Sequence, residues 1–229
     1  AEMIKYTNNS FLATKISFIN QISNICQLIP GANVEDVAKT IGLDPRIGNL
    51  FLSAGPGYGG SCLPKDVSAI INFSNNLGID PLLLNAVKEV NDYQLKHVVL
   101  TIKKATKNLK NKKITVLGLA FKPETDDIRD SVSIKLINSL LKQGVEITVH
   151  DPKAIENTRR VFKERISYAK SIDDALRKSQ CCVIMTPWKE YSTINERHLR
   201  LMEQRTIVDT RRILSSSKLK MNYYPIGIG

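Results

Sequence analysis

The hydrophobic period of this sequence changes at Lys112. Before it, apolar residues recur every three or four positions, as on helices. After it, short β-branched runs alternate with helical stretches. KKITVLGLAF reads as a buried strand, SVSIKLINSLLKQG as a helix stopped by Gly144, and VEITVHDP as a second strand, which together make a βαβ unit. The alternation continues with a helix around 172–178, the strand CCVIMTP, a helix around 196–202 and the strand TIVDTRR. Strands separated by helices predict a parallel sheet covered by helices, so residues 111–229 should form a Rossmann-like domain.

The first half is predicted to be all-helical. Residues 3–29 place Ile4, Phe11, Leu12, Ile16, Ile19, Ile22 and Ile25 at mostly three- and four-residue spacings before Pro30-Gly31, which predicts a long amphipathic helix. Asn33 stands as an N-cap ahead of a short helix that stops at Gly42. The loop GPGYGGSC follows over 55–62; its glycines permit conformations closed to other residues and imply a close approach to the backbone. Pro64 suits the first turn of the next helix, which stops near Gly78, and a further helix runs from about Pro81 to Lys107. The expected organisation is a helical domain over 1–90, a connecting helix over 91–110 and the α/β domain over 111–229. The length, 229 residues, accommodates two domains of ordinary size.

Composition narrows the partners. A formal charge of +11 favours an anionic ligand. The basic residues are scattered, without aromatic interleaving or Cys/His spacing, which argues against nucleic acid. The four cysteines fit neither a metal site nor a disulfide framework and suit a reducing cytoplasm. No apolar run approaches the roughly 20 residues needed to span a bilayer, and the acidic start AEMIK does not read as a signal peptide.

The chemistry concentrates at Gly59-Gly60-Ser61-Cys62-Leu63-Pro64-Lys65-Asp66. A cysteine just ahead of a helix has its thiolate favoured by the positive end of the helix dipole, and Lys65 adds a cation. Asp66 lies one turn further on, within reach of the same reacting atom. A lone cysteine is ordinarily a buried, inert one; the surrounding glycines and the Lys65-Asp66 pair favour a nucleophile instead. Lys5 and Asn9 share one helix face and could polarise one oxygen, although their spacing alone equally describes a solvated face.

In order and spacing, AEMIKYTNNSFLATKISFIN, DPRIGNLF, GPGYGGSCLPKD, VLGLAFKPETDDIRDS and VDTRR resemble the UDP-glucose/GDP-mannose dehydrogenase family from its central domain to its C-terminus. The resemblance implies oxidation of a nucleotide sugar at C6 to a carboxylate with two NAD⁺ and one water. Cys62 would attack the intermediate aldehyde, Lys5 and Asn9 would stabilise the oxyanion, and Asp66 would help deprotonate the water or the thiol. It further implies substrate contacts at Arg46, Tyr58, Gly59, Phe121, Lys122 and Arg211, cofactor contacts at Lys65 and Arg129, no metal, and a homodimer built around the first helix, with Arg46 reaching the neighbouring subunit's site. Ser61 before the cysteine is unlike the N-acetylmannosamine-type branch, and RIGNLF with Arg46 is more similar to the UDP-glucose branch than to the GDP-mannose one; GDP-mannose and a non-catalytic dimerisation and nucleotide-binding module are the alternatives.

The strand ITVLG leads into Gly118-Leu119-Ala120 rather than G-x-G-x-x-G, and His150-Asp151 end the next strand at the position of an acidic ribose contact. Without the glycine fingerprint, this fold is assigned to the UDP moiety. No such fingerprint occurs anywhere in the chain, whereas the family carries one in a preceding domain. The expectation is therefore a piece lacking the main NAD⁺ site and inactive alone.

Overall fold

The computed structural model describes residues 2–215 and 219–229. The chain divides into two compact units, one comprising the residues up to Leu95 together with Ile226–Gly229, the other Lys96–Pro225. The boundary falls within a helix, and the last four residues return to the first unit.

The helical unit contains α1 (Glu2–Cys26), α2 (Val34–Ile41), α3 (Leu63–Asn76) and the first half of α4 (Leu82–Thr106). Asn33 caps α2, its side chain accepting the Glu35 N–H. Gly42 closes it. Pro64 sits in the first turn of α3, where its missing N–H costs no hydrogen bond. Two apolar clusters hold this unit: Ala13, Tyr58, Val67, Ile71 and Val87 in one, Ile19, Cys26, Val34 and Leu52 in the other. Helix α1 turns a face of small and polar residues inward, with Ser10, Ala13, Ser17, Asn20 and Ser23 all buried. The Ser17 hydroxyl donates to the Val87 carbonyl at 2.8 Å, a close approach that larger residues would block.

The apolar positions of the expected amphipathic helix divide between the inward and outward sides, Ile16 and Ile22 packing against the two clusters. Ile19 is buried, but Ile4 is 76% exposed, Phe11 65% and Ile25 49%. The helix also ends at Cys26 rather than at 29, the chain continuing in turns to Pro30-Gly31.

The α/β unit is a six-stranded, all-parallel sheet in the order β3-β2-β1-β4-β5-β6. Its strands are β1 (Lys113–Leu117), β2 (Glu146–His150), β3 (Ser167–Tyr168), β4 (Cys181–Ile184), β5 (Thr206–Asp209) and β6 (Asn222–Pro225), with helices α5 (Val132–Leu141), α6 (Ile155–Phe162), α7 (Ile172–Leu176) and α8 (Glu196–Leu199) between them. Strands β1, β4 and β5 are buried almost throughout, as a doubly covered parallel sheet requires. The strand order reverses between β1 and β4, and such a switch point is where open parallel sheets generally take their ligands. Helix α6 and strands β3 and β6 were not foreseen: β3 has two residues, α6 is charged along IENTRRVF, and NYYP in β6 ends in a proline that argues against a strand interior.

Candidate functional site

In the helical unit, Cys62 occupies the N-cap position of α3 with its side chain making no capping bond. It is exposed, whereas Cys26, Cys181 and Cys182 are buried. Burial pushes the Cys181 thiol up to about 12 and Cys182 well above the ordinary thiol value, which leaves both inert at neutral pH. The Ser61 hydroxyl lies 3.8 Å from the Cys62 sulfur.

One turn into α3, Asp66 has a side chain 0% exposed and gathers the neighbouring polar groups. Asn9 Nδ2 donates to Asp66 Oδ2 at 2.7 Å, Lys65 Nζ lies 2.7 Å from Oδ1, and Lys5 Nζ stands 3.9 Å from Oδ2. Burial by itself would raise the Asp66 carboxyl, but the hydrogen bonds from Lys65 and Asn9 and the charges of Lys5 and Lys65 outweigh it, and the net shift is downward. Asn8 Nδ2 reaches Asn9 Oδ1 at 3.4 Å, so the amide of Asn9 is oriented from both ends. Both cations approach the Tyr6 ring, whose centre is 6.0 Å from Lys5 Nζ and 5.9 Å from Lys65 Nζ. Lys5, Asn9, Lys65 and Asp66 thus form one network whose donors converge on a single buried carboxylate beside the cysteine.

The glycine-rich loop is held by buried amides. Asn91 accepts from Tyr58 N at 2.8 Å and donates to Tyr58 O at 3.1 Å; Asn20 accepts from Gly55 N at 2.8 Å, and Gln94 donates to Gly55 O at 2.9 Å. Gly57, at φ +105°, would bring a Cβ within 2.9 Å of Asn91 Oδ1. At Gly57 the close approach expected from sequence is therefore made by the protein's own asparagine. Tyr58 is 8% exposed and packs in the core, so its ring belongs to the scaffold of the loop.

In the α/β unit, the sequence-predicted residues gather at the carboxyl edge of the sheet. Phe121 and Lys122 follow β1, with Lys122 Nζ 5.5 Å from the Phe121 ring centre. Arg211 follows β5, and its Nε donates to Met185 O, just beyond β4, at 2.7 Å. The residues after β1, β4 and β5 thus frame the switch point. Gly118, at φ +92°, would drive a Cβ to 2.5 Å from Thr186 N, so the loops after β1 and β4 meet there. Arg129 forms a two-pronged pair with Asp127, at 3.0 and 2.7 Å, and Arg46 an equivalent one with Asp44, at 3.0 and 2.6 Å. Arg46 lies on a loop that Lys15 secures by donating to Ile47 O at 2.9 Å.

Asn20, Asn91, Gln94 and Tyr6 escaped the sequence reading; only the glycines they serve were legible. Asp151 was legible by position, yet both its oxygens are taken by protein N–H groups, which excludes a ribose contact. Among the described residues no helix is long and apolar enough to cross a membrane, and no cluster of three or more His, Cys, Asp or Glu could hold a metal ion.

The family model for the central domain of the UDP-glucose/GDP-mannose dehydrogenase family matches residues 1–93, and that for the family's UDP binding domain matches residues 115–216. UDP-glucose 6-dehydrogenase AglM of Haloferax volcanii is 45% identical over 94% of this chain and 49% of its own length. UDP-glucose 6-dehydrogenase TuaD of Bacillus subtilis is 40% identical over 98% of this chain and 49% of its own. A solved UDP-glucose dehydrogenase from Pyrobaculum islandicum superposes with a TM-score of 0.91 at 33% identity, over 99% of this chain and 51% of that one. The chain spans about half the length of the curated relatives it matches.

Proposed function

The chain belongs to the UDP-glucose/GDP-mannose dehydrogenase family, and on that premise we propose that it is the portion of a UDP-glucose 6-dehydrogenase that binds the nucleotide sugar and carries the covalent chemistry. The observation that carries the proposal is Cys62: the exposed thiol among four cysteines, at a helix entrance, one turn from a buried carboxylate ringed by Lys5, Asn9 and Lys65.

The overall change converts the C6 hydroxyl to a carboxylate, with two NAD⁺ accepting four electrons and water supplying the second oxygen. The connection between β1 and α5 does not fit a dinucleotide: the Gly118, Leu119 and Ala120 amides are already bound by the His150 carbonyl and Asp151. What the chain's own residues do is bind and activate. The Cys62 thiolate adds to the C6 aldehyde to give a thiohemiacetal; once this is oxidised, the thioester is opened by water, which returns the thiol and yields the acid. Asn9 and Lys5, on adjacent turns of α1, donate to the oxygen that becomes negative on each addition. Asp66, held ionised, accepts the proton of the attacking water or thiol. Lys65 and Arg129 are proposed as cofactor contacts, and Gly59, Phe121, Lys122 and Arg211 as contacts of the nucleotide sugar; Tyr58, whose N–H and carbonyl are both bound by Asn91, shapes the loop that presents Gly59.

We further propose a homodimer through α1. Ile4, Phe11, Phe18 and Ile25 recur every seven residues on its outer face, all about half or more exposed, which is the spacing of a helix-pairing seam. Arg46, with its side chain 86% exposed, would reach the partner's substrate from its tethered loop. Free thiols of this kind suit the reducing cytoplasm.

Steady-state turnover of UDP-glucose and GDP-mannose by the full-length protein tests the assignment. Preferred oxidation of UDP-glucose is expected; a preference for GDP-mannose overturns the choice of sugar nucleotide, and turnover of neither overturns the enzymatic reading.

A further inference from the structure

We infer that Asp151 and Asp209 are positioning residues that fix the two loops from which the α/β unit meets its nucleotide. The inference rests on the proposed roles of Phe121, Lys122 and Arg211.

The register places the pair symmetrically about the switch point. His150, Leu117, Ile184 and Asp209 align as one row across β2, β1, β4 and β5, and Asp151 follows His150 directly. Both carboxylates are buried, at 3% and 0% exposure. A buried carboxylate demands donors, and here the donors come largely from loop backbone. Asp151 Oδ2 accepts from Leu119 N at 2.7 Å, Ala120 N at 3.2 Å and Trp188 Nε1 at 3.1 Å, while Oδ1 accepts from Lys153 N at 2.9 Å and Ala154 N at 2.8 Å. Leu119 and Ala120 immediately precede Phe121 and Lys122. Their carbonyls are bound too, Leu119 O by the Ser131 hydroxyl at 2.6 Å and Ala120 O by Thr186 at 2.7 Å, so the peptide planes entering the Phe121-Lys122 pair have no freedom left.

Asp209 repeats the arrangement after β5. Its Oδ1 accepts from Arg211 N at 3.0 Å and Arg212 N at 2.7 Å, and its Oδ2 from Leu214 N at 3.1 Å and the Tyr223 hydroxyl at 3.0 Å. The backbone of Arg211 is thereby fixed by Asp209 while its guanidinium is fixed by Met185 O. Neither aspartate keeps an oxygen for a ligand. Each orders a ligand-bearing loop during folding, so that ordering need not be repeated on binding.

The test is UDP titration by calorimetry into this chain. Asp151→Asn sets an amide NH₂ against N–H donors and should weaken UDP about tenfold, as should Asp209→Asn. In double-mutant cycles, Asp151→Asn should add almost nothing in a Lys122→Ala background, and Asp209→Asn almost nothing in Arg211→Ala, whereas the crossed pair Asp151→Asn with Arg211→Ala should multiply. A merely structural role would lower the melting temperature without that pairing. Trp188→Phe and Tyr223→Phe each remove one donor and should weaken UDP about two- to threefold; they decide the matter should the Asn variants not fold. Folded Asn variants that bind UDP like wild type, single-donor variants with unchanged affinity, or cycles that multiply within each pair overturn the inference. A wild-type chain that takes up no UDP overturns the nucleotide reading first and this inference with it.

Discussion

Asn9 Nδ2 donates to Asp66 Oδ2 over 2.7 Å, a bond between α1 and α3 that spans 57 residues of sequence. It turns two groups proposed for separate chemical tasks into one device, because the carboxylate proposed to accept the proton also orients the amide proposed to stabilise the oxyanion. Asp66→Asn in the full-length enzyme should therefore lose both functions and lower kcat by about 10²–10⁴-fold. Asn9→Ala should lower it less, by about 10²–10³-fold. Steady-state rates with UDP-glucose check both; equal and small effects contradict the coupling.

The amides beneath the glycine-rich loop should matter to stability. Asn91→Leu strands the Tyr58 N–H and carbonyl in a buried setting and should cost about 1–3 kcal/mol. The shift of the denaturation midpoint measures it. Gly57→Ala, with φ at +105° and Asn91 Oδ1 2.9 Å from the added carbon, should destabilise as well.

Much of the fold was legible because period and punctuation agreed. Asn33 and Gly42 bracket α2, Pro64 opens α3, and TIVD and CCVI stand as short, fully buried strands between helical stretches. What failed has a physical reason. The apolar stripe of α1 was legible, but the inward face was not: close helix packing selected Ser10, Ala13, Ser17 and Ser23, whose small size does not register as hydrophobic periodicity. At the site, Cys62 and Asp66 announced themselves through their surroundings. The loop anchors Asn20, Asn91 and Gln94 did not, since each is a solitary amide on a helix and its partner lies more than thirty residues away.

The exposed stripe makes a prediction of its own. Phe11→Glu or Phe18→Glu introduces charge at the centre of the proposed seam and should convert a dimer to a monomer, read as a halving of mass by light scattering. An unchanged mass sinks the α1 dimer.

Acidification should act through His150. Burial lowers its pKa below the ordinary 6.5, the charges of Asp151 and Asp174 only partly opposing it. A histidine whose folded value is depressed contributes stability that is present above 6.5 and lost as pH falls through the folded value. The melting temperature of the chain should fall as pH drops from 6.5 towards the folded value and level off below it, and His150→Asn should flatten the fall. A melting temperature independent of pH there contradicts the assignment.

The central claim is that Cys62 bonds covalently to the sugar's C6 carbon. The direct measurement is the acid formed from UDP-glucose and NAD⁺ by the full-length protein carrying Cys62→Ser. The predicted result is loss of glucuronate formation in a variant that still binds UDP-glucose; glucuronate formed at the wild-type rate would contradict it.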